Sequence, residues 1–142
     1  MKSPDINLLL HAVDRDSRNH DVARVWLEQA FSSRRGVGFA WGALLGFLRL
    51  STKSGILRKP LAIDDAFAIV QDWLAQPSTQ ILHPTERHAE LLARLLVPLG
   101  TGGNLVQDAH LAALAIEHGA EFGSFDADFH RFAGLRFDHL AS

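Results

Sequence analysis

Residues Asn104–Phe129 read N-L-V-Q-D-A-H-L-A-A-L-A-I-E-H-G-A-E-F-G-S-F-D-A-D-F. A Gly-led loop, Thr101–Asn104, opens a helix with Asp108 in its first turn, and Gly119 closes it. Glu121–Phe125 then has the length and residue types of a short strand, followed at once by Asp126 and Asp128. Asp108 shares a helical face with Leu111, Ala112 and Ala115, at i+3, i+4 and i+7. An acid on an apolar face points to a site, although in a first turn it also complements the helix dipole. Asp126 and Asp128 have a plainer reading too, as a helix N-cap and its first turn. Glu117 falls half a turn round the helix from Asp108 and is expected to face elsewhere, towards solvent. If helix and strand neighbour each other in a parallel sheet, three carboxylates converge at the carboxyl ends of the strands, where open α/β sheets bind ligands.

Working outward, the same alternation recurs. Lys2–Ile6 is a short strand running straight into a helix, Asn7–Val13, so Asp5 sits at a strand's carboxyl end or caps the helix that follows. His20–Phe31 is an amphipathic helix. Val37–Ala40 is a second strand and Trp41–Thr52 a largely buried helix from which Arg49 emerges, as a snorkelling surface cation or a phosphate contact. Ser51–Pro60 is a basic loop. Asp64–Gln76 is a helix with Ile63 and Asp64 as staple and cap, and Pro77 stops it. Gln80–His83 is a third strand, Pro84–Val97 a helix with Thr85 as N-cap, and Leu135–Leu140 a last strand. About five strands alternating with six or seven helices call for a mostly parallel sheet covered on both faces. No repeat or linker divides the 142 residues, so a single domain over 1–142 is expected.

Charge narrows the function classes. With 14 basic against 16 acidic residues the net charge is −2, which argues against holding nucleic acid by bulk charge. The distribution is uneven: no acid lies between Gln29 and Ile63, a span holding Arg34, Arg35, Arg49, Lys53, Arg58 and Lys59. The acids concentrate from Asp64 onward, a pairing suited to a metal-dependent enzyme acting on a polyanion. Cysteine is absent, so neither disulfides nor thiol chemistry enter. The longest apolar stretch, Gly36–Leu48, falls short of the roughly 20 residues that span a bilayer, so a soluble, cytoplasmic protein without membrane partners is expected.

Hard divalent cations such as magnesium take oxygen ligands, and crowded carboxylates are costly to keep ionised without one. Such a site activates water and stabilises charge on phosphoryl oxygens in phosphodiester hydrolysis. Other chemistries find less support. The eight histidines show no metal-ligand spacing, and Thr101–Asn104 lacks the Lys-Ser/Thr of a phosphate loop. Ser124 has no base partner in the sequence and reads as a hydroxyl beside the acids.

P-D-I-N-L-L-L at 4–10, L-L-G-F-L-R at 44–49, N-L-V-Q-D-A-H-L-A-A-L-A at 104–115 and S-F-D-A-D-F at 124–129 together resemble a PIN domain, and more narrowly the VapC toxins of bacterial toxin–antitoxin pairs, especially the mycobacterial type. The resemblance covers essentially the whole chain. It implies a three-layer α/β/α sandwich and a magnesium- or manganese-dependent endoribonuclease that cuts structured RNA, commonly transfer or ribosomal RNA, and arrests growth. It further implies Asp5, Asp108 and Asp126 as metal ligands and Asp128 as an additional acid. Asn7 and Ser124 would support Asp5 and the metal's waters. A homodimer is implied, as is an antitoxin that blocks the acidic pocket, often with an arginine.

One position departs from the pattern. Many members carry a glutamate just before the G-F-L-R segment, where this chain has Trp41-Gly42-Ala43-Leu44-Leu45. That absence motivates an alternative, a PIN-like binding module with weak or lost catalysis. A phosphotransfer fold of the receiver or haloacid dehalogenase type wants a late lysine, and none follows Lys59.

Overall fold

A computed structural model describes residues 1–141. Five strands, β1 (Lys2–Pro4), β2 (Val37–Phe39), β3 (Thr79–Ile81), β4 (Glu121–Ser124) and β5 (Phe137–His139), form one sheet in the order β3-β2-β1-β4-β5. Every pairing is parallel, with Lys2 opposite Val37, Pro4 opposite Gly123 and Ser124 opposite His139. The helices are α1 (Ile6–Val13), α2 (His20–Ser32), α3 (Trp41–Thr52), α4 (Ile63–Leu74), α5 (His88–Leu96) and α6 (Leu105–Glu117).

The strand order explains the layering. From β1 the chain steps outward to β2 and β3, then returns past β1 to β4 and steps out the other way to β5. With right-handed crossovers, α1–α4 fall on one face of the sheet and α5–α6 on the other. The helix packing agrees: α1 contacts α2 and α3, α3 contacts α4, and α5 contacts α6. The point where the winding reverses lies between β1 and β4, so the crevice above their carboxyl ends is the natural ligand site.

Large apolar side chains from helices and strands fill the core. Phe39, Phe47, Phe122, Phe129, Leu8, Leu9 and Leu44 are fully buried. Gly123 is set by this packing: a Cβ there would lie 2.4 Å from the Trp26 ring. The Trp26 indole lies under β4 and donates from Nε1 to Asp138 at 2.8 Å.

Three local expectations are corrected. Thr85 does not cap a helix at Pro84; α5 begins at His88, and Thr85–Arg87 is a turn closed by a bond from the His88 N–H to the Thr85 carbonyl at 3.0 Å. Asp64 is not the N-cap of α4. Ala62 holds that position, and Asp64 and Asp65 lie in the first turn, where their charge favours the helix dipole. Glu117 does face away from Asp108, yet its side chain has 0% exposure because α5 covers that side of α6. Its oxygens accept from Thr85 N at 2.9 Å and Oγ1 at 2.6 Å, and Oε2 lies 2.5 Å from His88 Nδ1.

Candidate metal centre

β1 ends at Pro4 and α1 begins at Ile6, leaving Asp5 as the single residue of the turn. Its backbone N–H donates to the Gly123 carbonyl at 2.9 Å, tying the turn to the adjacent strand β4. Both readings of this residue hold at once. Oδ1 caps α1 by accepting from Ile6 N at 2.7 Å, while Oδ2 accepts from the Ser124 hydroxyl at 2.6 Å. The residue is only 6% exposed.

Ser124, the last residue of β4, is fully buried and its hydrogen-bonding capacity is used up. Its one proton goes to Asp5, and its lone pairs accept from Asn7 Nδ2 at 3.1 Å and Asp126 N at 3.0 Å. Asn7 closes the ring by accepting from Phe125 N on Oδ1 at 3.2 Å. Asn7, Ser124 and the two strand ends therefore form one buried network that orients Asp5. Asp126 caps the short 3-10 turn Ala127–Arg131, accepting from Asp128 N on Oδ1 at 2.9 Å. Asp128 is exposed and pairs with Arg131 at 3.5 Å.

Burial and mutual repulsion act on two of these acids. Burial raises the Asp5 carboxyl from 3.8 to about 6, against the bonds from Ser124 and Ile6 that favour its anion, and Asp126 adds repulsion. Burial also raises Asp108 from 3.8 to about 6, with repulsion from Asp5, Asp126 and Asp128 adding to it. No basic side chain among the described residues lowers either value. Asp108 is thus within Coulombic reach of Asp5, Asp126 and Asp128, and Asp5 within reach of Asp126. Among the described residues, no three acidic or histidine side chains close directly around a point that would hold an ion. The donor chemistry fits a hard divalent ion bound by a few carboxylates that keeps several of its waters.

The groove beside Asp108 explains what α3 contributes. α3 turns Gly42, Leu45, Gly46 and Arg49 towards a cavity of about 390 Å³ that Gln107, Asp108, Leu111 and Ile6 complete. Those four α3 positions are at i, i+3, i+4 and i+7 spacing, one helical face, and none is acidic. Leu45 is 57% exposed although large and apolar. No acid marks this face in the sequence; its signal there is small residues alternating with Leu45 and Arg49 at helical spacing.

A family model described as PIN domain matches residues 4–135. The chain belongs to the PIN-domain family, in its VapC branch. It is 52% identical to Ribonuclease VapC37 of Mycobacterium tuberculosis, over 97% of this chain and 96% of that one. It is 42% identical to Ribonuclease VapC33 of the same species, over 94% and 93% of the two chains. Among solved structures, VapBC2 from Rickettsia felis bound to a promoter DNA fragment superposes with a TM-score of 0.72 at 15% identity, covering 97% of each chain. VapBC from Salmonella typhimurium bound to DNA gives 0.68 at 16% identity, covering 98% of each. At those identities the two structures speak for the fold, and the PIN architecture expected of the sequence is the one found.

Proposed function

We propose that this VapC-family chain is a single-domain toxin with metal-dependent endoribonuclease activity, neutralised by a cognate antitoxin. The observation that carries the reading is the group of acids beside the β1/β4 switch point, where the carboxyls of Asp5 and Asp108 are pushed to about 6. The names of the VapC relatives as ribonucleases support the reaction class, and the VapBC complexes support an antitoxin partner. Growth arrest through structured RNA, of the transfer or ribosomal kind, and a homodimeric form complete the proposal.

In this reading Asp5, Asp108 and Asp126 would hold Mg²⁺ or Mn²⁺, and Asp128 would supply an outer acid. A divalent cation held there supplies a more acidic bound water and charge neutralisation at the phosphoryl oxygens. The chain's own residues do the positioning. Ser124 and Asn7 fix the Asp5 carboxylate so that Oδ2 keeps one orientation, and Asp126 has no hydrogen bond on its second oxygen among the described residues while Oδ1 caps the turn. Asp108 enters from α6 with no hydrogen bond of its own among the described residues, which leaves both oxygens for a ligand or its waters.

Purified protein is expected to cleave RNA with Mg²⁺ or Mn²⁺ and to stop on adding EDTA. Asp5→Ala and Asp126→Asn should lose cleavage while keeping the native circular dichroism; unaltered cleavage in both would sink the assignment. A second reading, a PIN-like module that binds without hydrolysis, draws on the acid-free face of α3. It predicts RNA retention without cleavage and no thermal stabilisation by millimolar Mn²⁺.

A further inference from the structure

The groove beside the acids has features that metal binding does not use. Its floor is apolar, formed by Leu45, Leu111 and Ile6, and its rim carries the Arg49 guanidinium and the Gln107 amide. Arg49 and Gln107 are both exposed. Among the described residues Arg49 has no carboxylate within ion-pair distance and Gln107 makes no side-chain hydrogen bond; Arg49 shares that with several surface arginines and differs from them in lining the groove beside Asp108. Arg49 also stands in the acid-free span of the sequence, so no neighbour in the chain neutralises it. An unpaired guanidinium and an unpaired amide thus flank an apolar floor that runs directly into Asp108.

This combination matches one kind of occupant. A nucleotide presents a phosphate, a flat apolar face and a polar edge, and a volume of about 390 Å³ lies within the range of small-ligand clefts. Base faces pack on apolar side chains when a base is taken out of its stack, and side-chain amides read base edges. A single nucleotide supplies the anion for Arg49, the flat face for Leu45 and Leu111 and the polar edge for Gln107 together, which a peptide does only with several residues.

We propose that the groove between α3 and α6 is a nucleotide subsite. In it Arg49 binds the phosphate next to the one cleaved, Leu45 and Leu111 take the face of the adjoining base, and Gln107 hydrogen-bonds its edge. The subsite rests on the ribonuclease reading and adds to it a determinant of sequence preference on this chain's own residues. The groove takes a single unstacked nucleotide, so the scissile bond lies beside an unpaired base, as in the loops of structured RNA.

The test compares wild type with Arg49→Ala, Arg49→Lys and Gln107→Ala on labelled single-stranded oligoribonucleotides. Binding is followed by fluorescence anisotropy across a salt series in EDTA, and cleavage of a position-randomised pool in Mn²⁺. Arg49→Ala is expected to raise KM about tenfold with kcat within about a factor of two, as for loss of one charge-assisted contact. It should also lower the salt slope of binding by about 0.7, the value for one single-strand phosphate, and Arg49→Lys should restore the slope. Gln107→Ala should leave the slope unchanged and flatten the preference for one nucleotide beside the cut. Slope, KM and preference identical to wild type in Arg49→Ala and Gln107→Ala, in a protein that does cut RNA, would overturn the subsite. A change confined to the sedimentation behaviour of the variants would overturn it as well, by assigning the groove to self-association. Should wild type cut no RNA, the ribonuclease reading fails, and the anisotropy arm decides the subsite alone by whether Arg49→Ala lowers the slope.

Discussion

Removing a charge from the acid cluster should make the metal-free protein more stable, and Asp108 is the place to do it. Its carboxyl stands at about 6 against an ordinary 3.8, so ionisation near neutral pH works against the fold by roughly two pKa units. At 1.36 kcal/mol per unit that is about 3 kcal/mol borne in full, and screening at a half-exposed group reduces it to about 1 kcal/mol. Asp108→Asn keeps the shape and removes the charge, which for a chain of this size corresponds to a gain of about 3–4 °C in Tm. The sign follows from linkage: a carboxyl raised on folding leaves stability intact below pH 3.8, and stability is lost as pH rises through 6. The gain should therefore be complete at pH 7.5 in EDTA and fall to about half at pH 5. With millimolar Mn²⁺ the order reverses, because wild type binds the ion and gains stability by mass action while the variant gains less. Thermal unfolding followed by circular dichroism at the two pH values, with EDTA or Mn²⁺, reads all of this. A Tm for Asp108→Asn at or below wild type in EDTA at pH 7.5, or a gain that ignores pH, would refute the reasoning.

Other sites give equally concrete outcomes. Ser124→Ala removes the 2.6 Å bond to Asp5 and leaves Asn7 Nδ2 and Asp126 N without their acceptor. It should cost about 2–3 kcal/mol in urea unfolding and move the Asp5 titration above 6, as read by NMR of the carboxyl carbon. Gly42→Glu places an acid on the face of α3 that shares the groove with Asp108, where an added Cβ meets nothing nearer than 3.5 Å. It is expected to tighten Mn²⁺ binding about tenfold by calorimetry, since affinity follows the number of charged ligands. Gly123→Ala drives a methyl to 2.4 Å from the Trp26 ring and should destabilise by about 1–3 kcal/mol, seen as a lowered urea midpoint with an unchanged m-value.

Most of the architecture was legible because period and punctuation agree along the chain. The apolar spacing of Leu111, Ala112 and Ala115 gives α6 its buried face, and Gly119 at φ +65° ends it in the left-handed conformation that glycine adopts without strain. Asp5 and Asp126 were legible as acids just past strands, and the parallel pairing of β1 with β4 brings those two ends together. What the sequence could not show depends on residues far apart in it. The Ser124–Asp5 bond joins positions separated by 119 residues, so Ser124 was only a hydroxyl near acids until the strands paired. Glu117 was misjudged for the same reason: its direction follows from helix geometry, but its burial depends on where α5 packs. The groove was missed because its signal is a face without acids, and only the approach of α6 shows what that face lines.

We assign Asp5, Asp108 and Asp126, with Asp128 as an outer acid, to a divalent-metal site. Isothermal titration of the full chain with Mn²⁺ in two buffers of different ionisation enthalpy tests it most directly. With Asp5 and Asp108 both near 6, binding at pH 6 should be saturable and release about one proton, and at pH 8 almost none. Asp5→Asn should lose both the binding and the proton release. Absence of saturable heat up to about 10 mM Mn²⁺, or binding in Asp5→Asn equal to wild type without proton release at pH 6, would contradict the account.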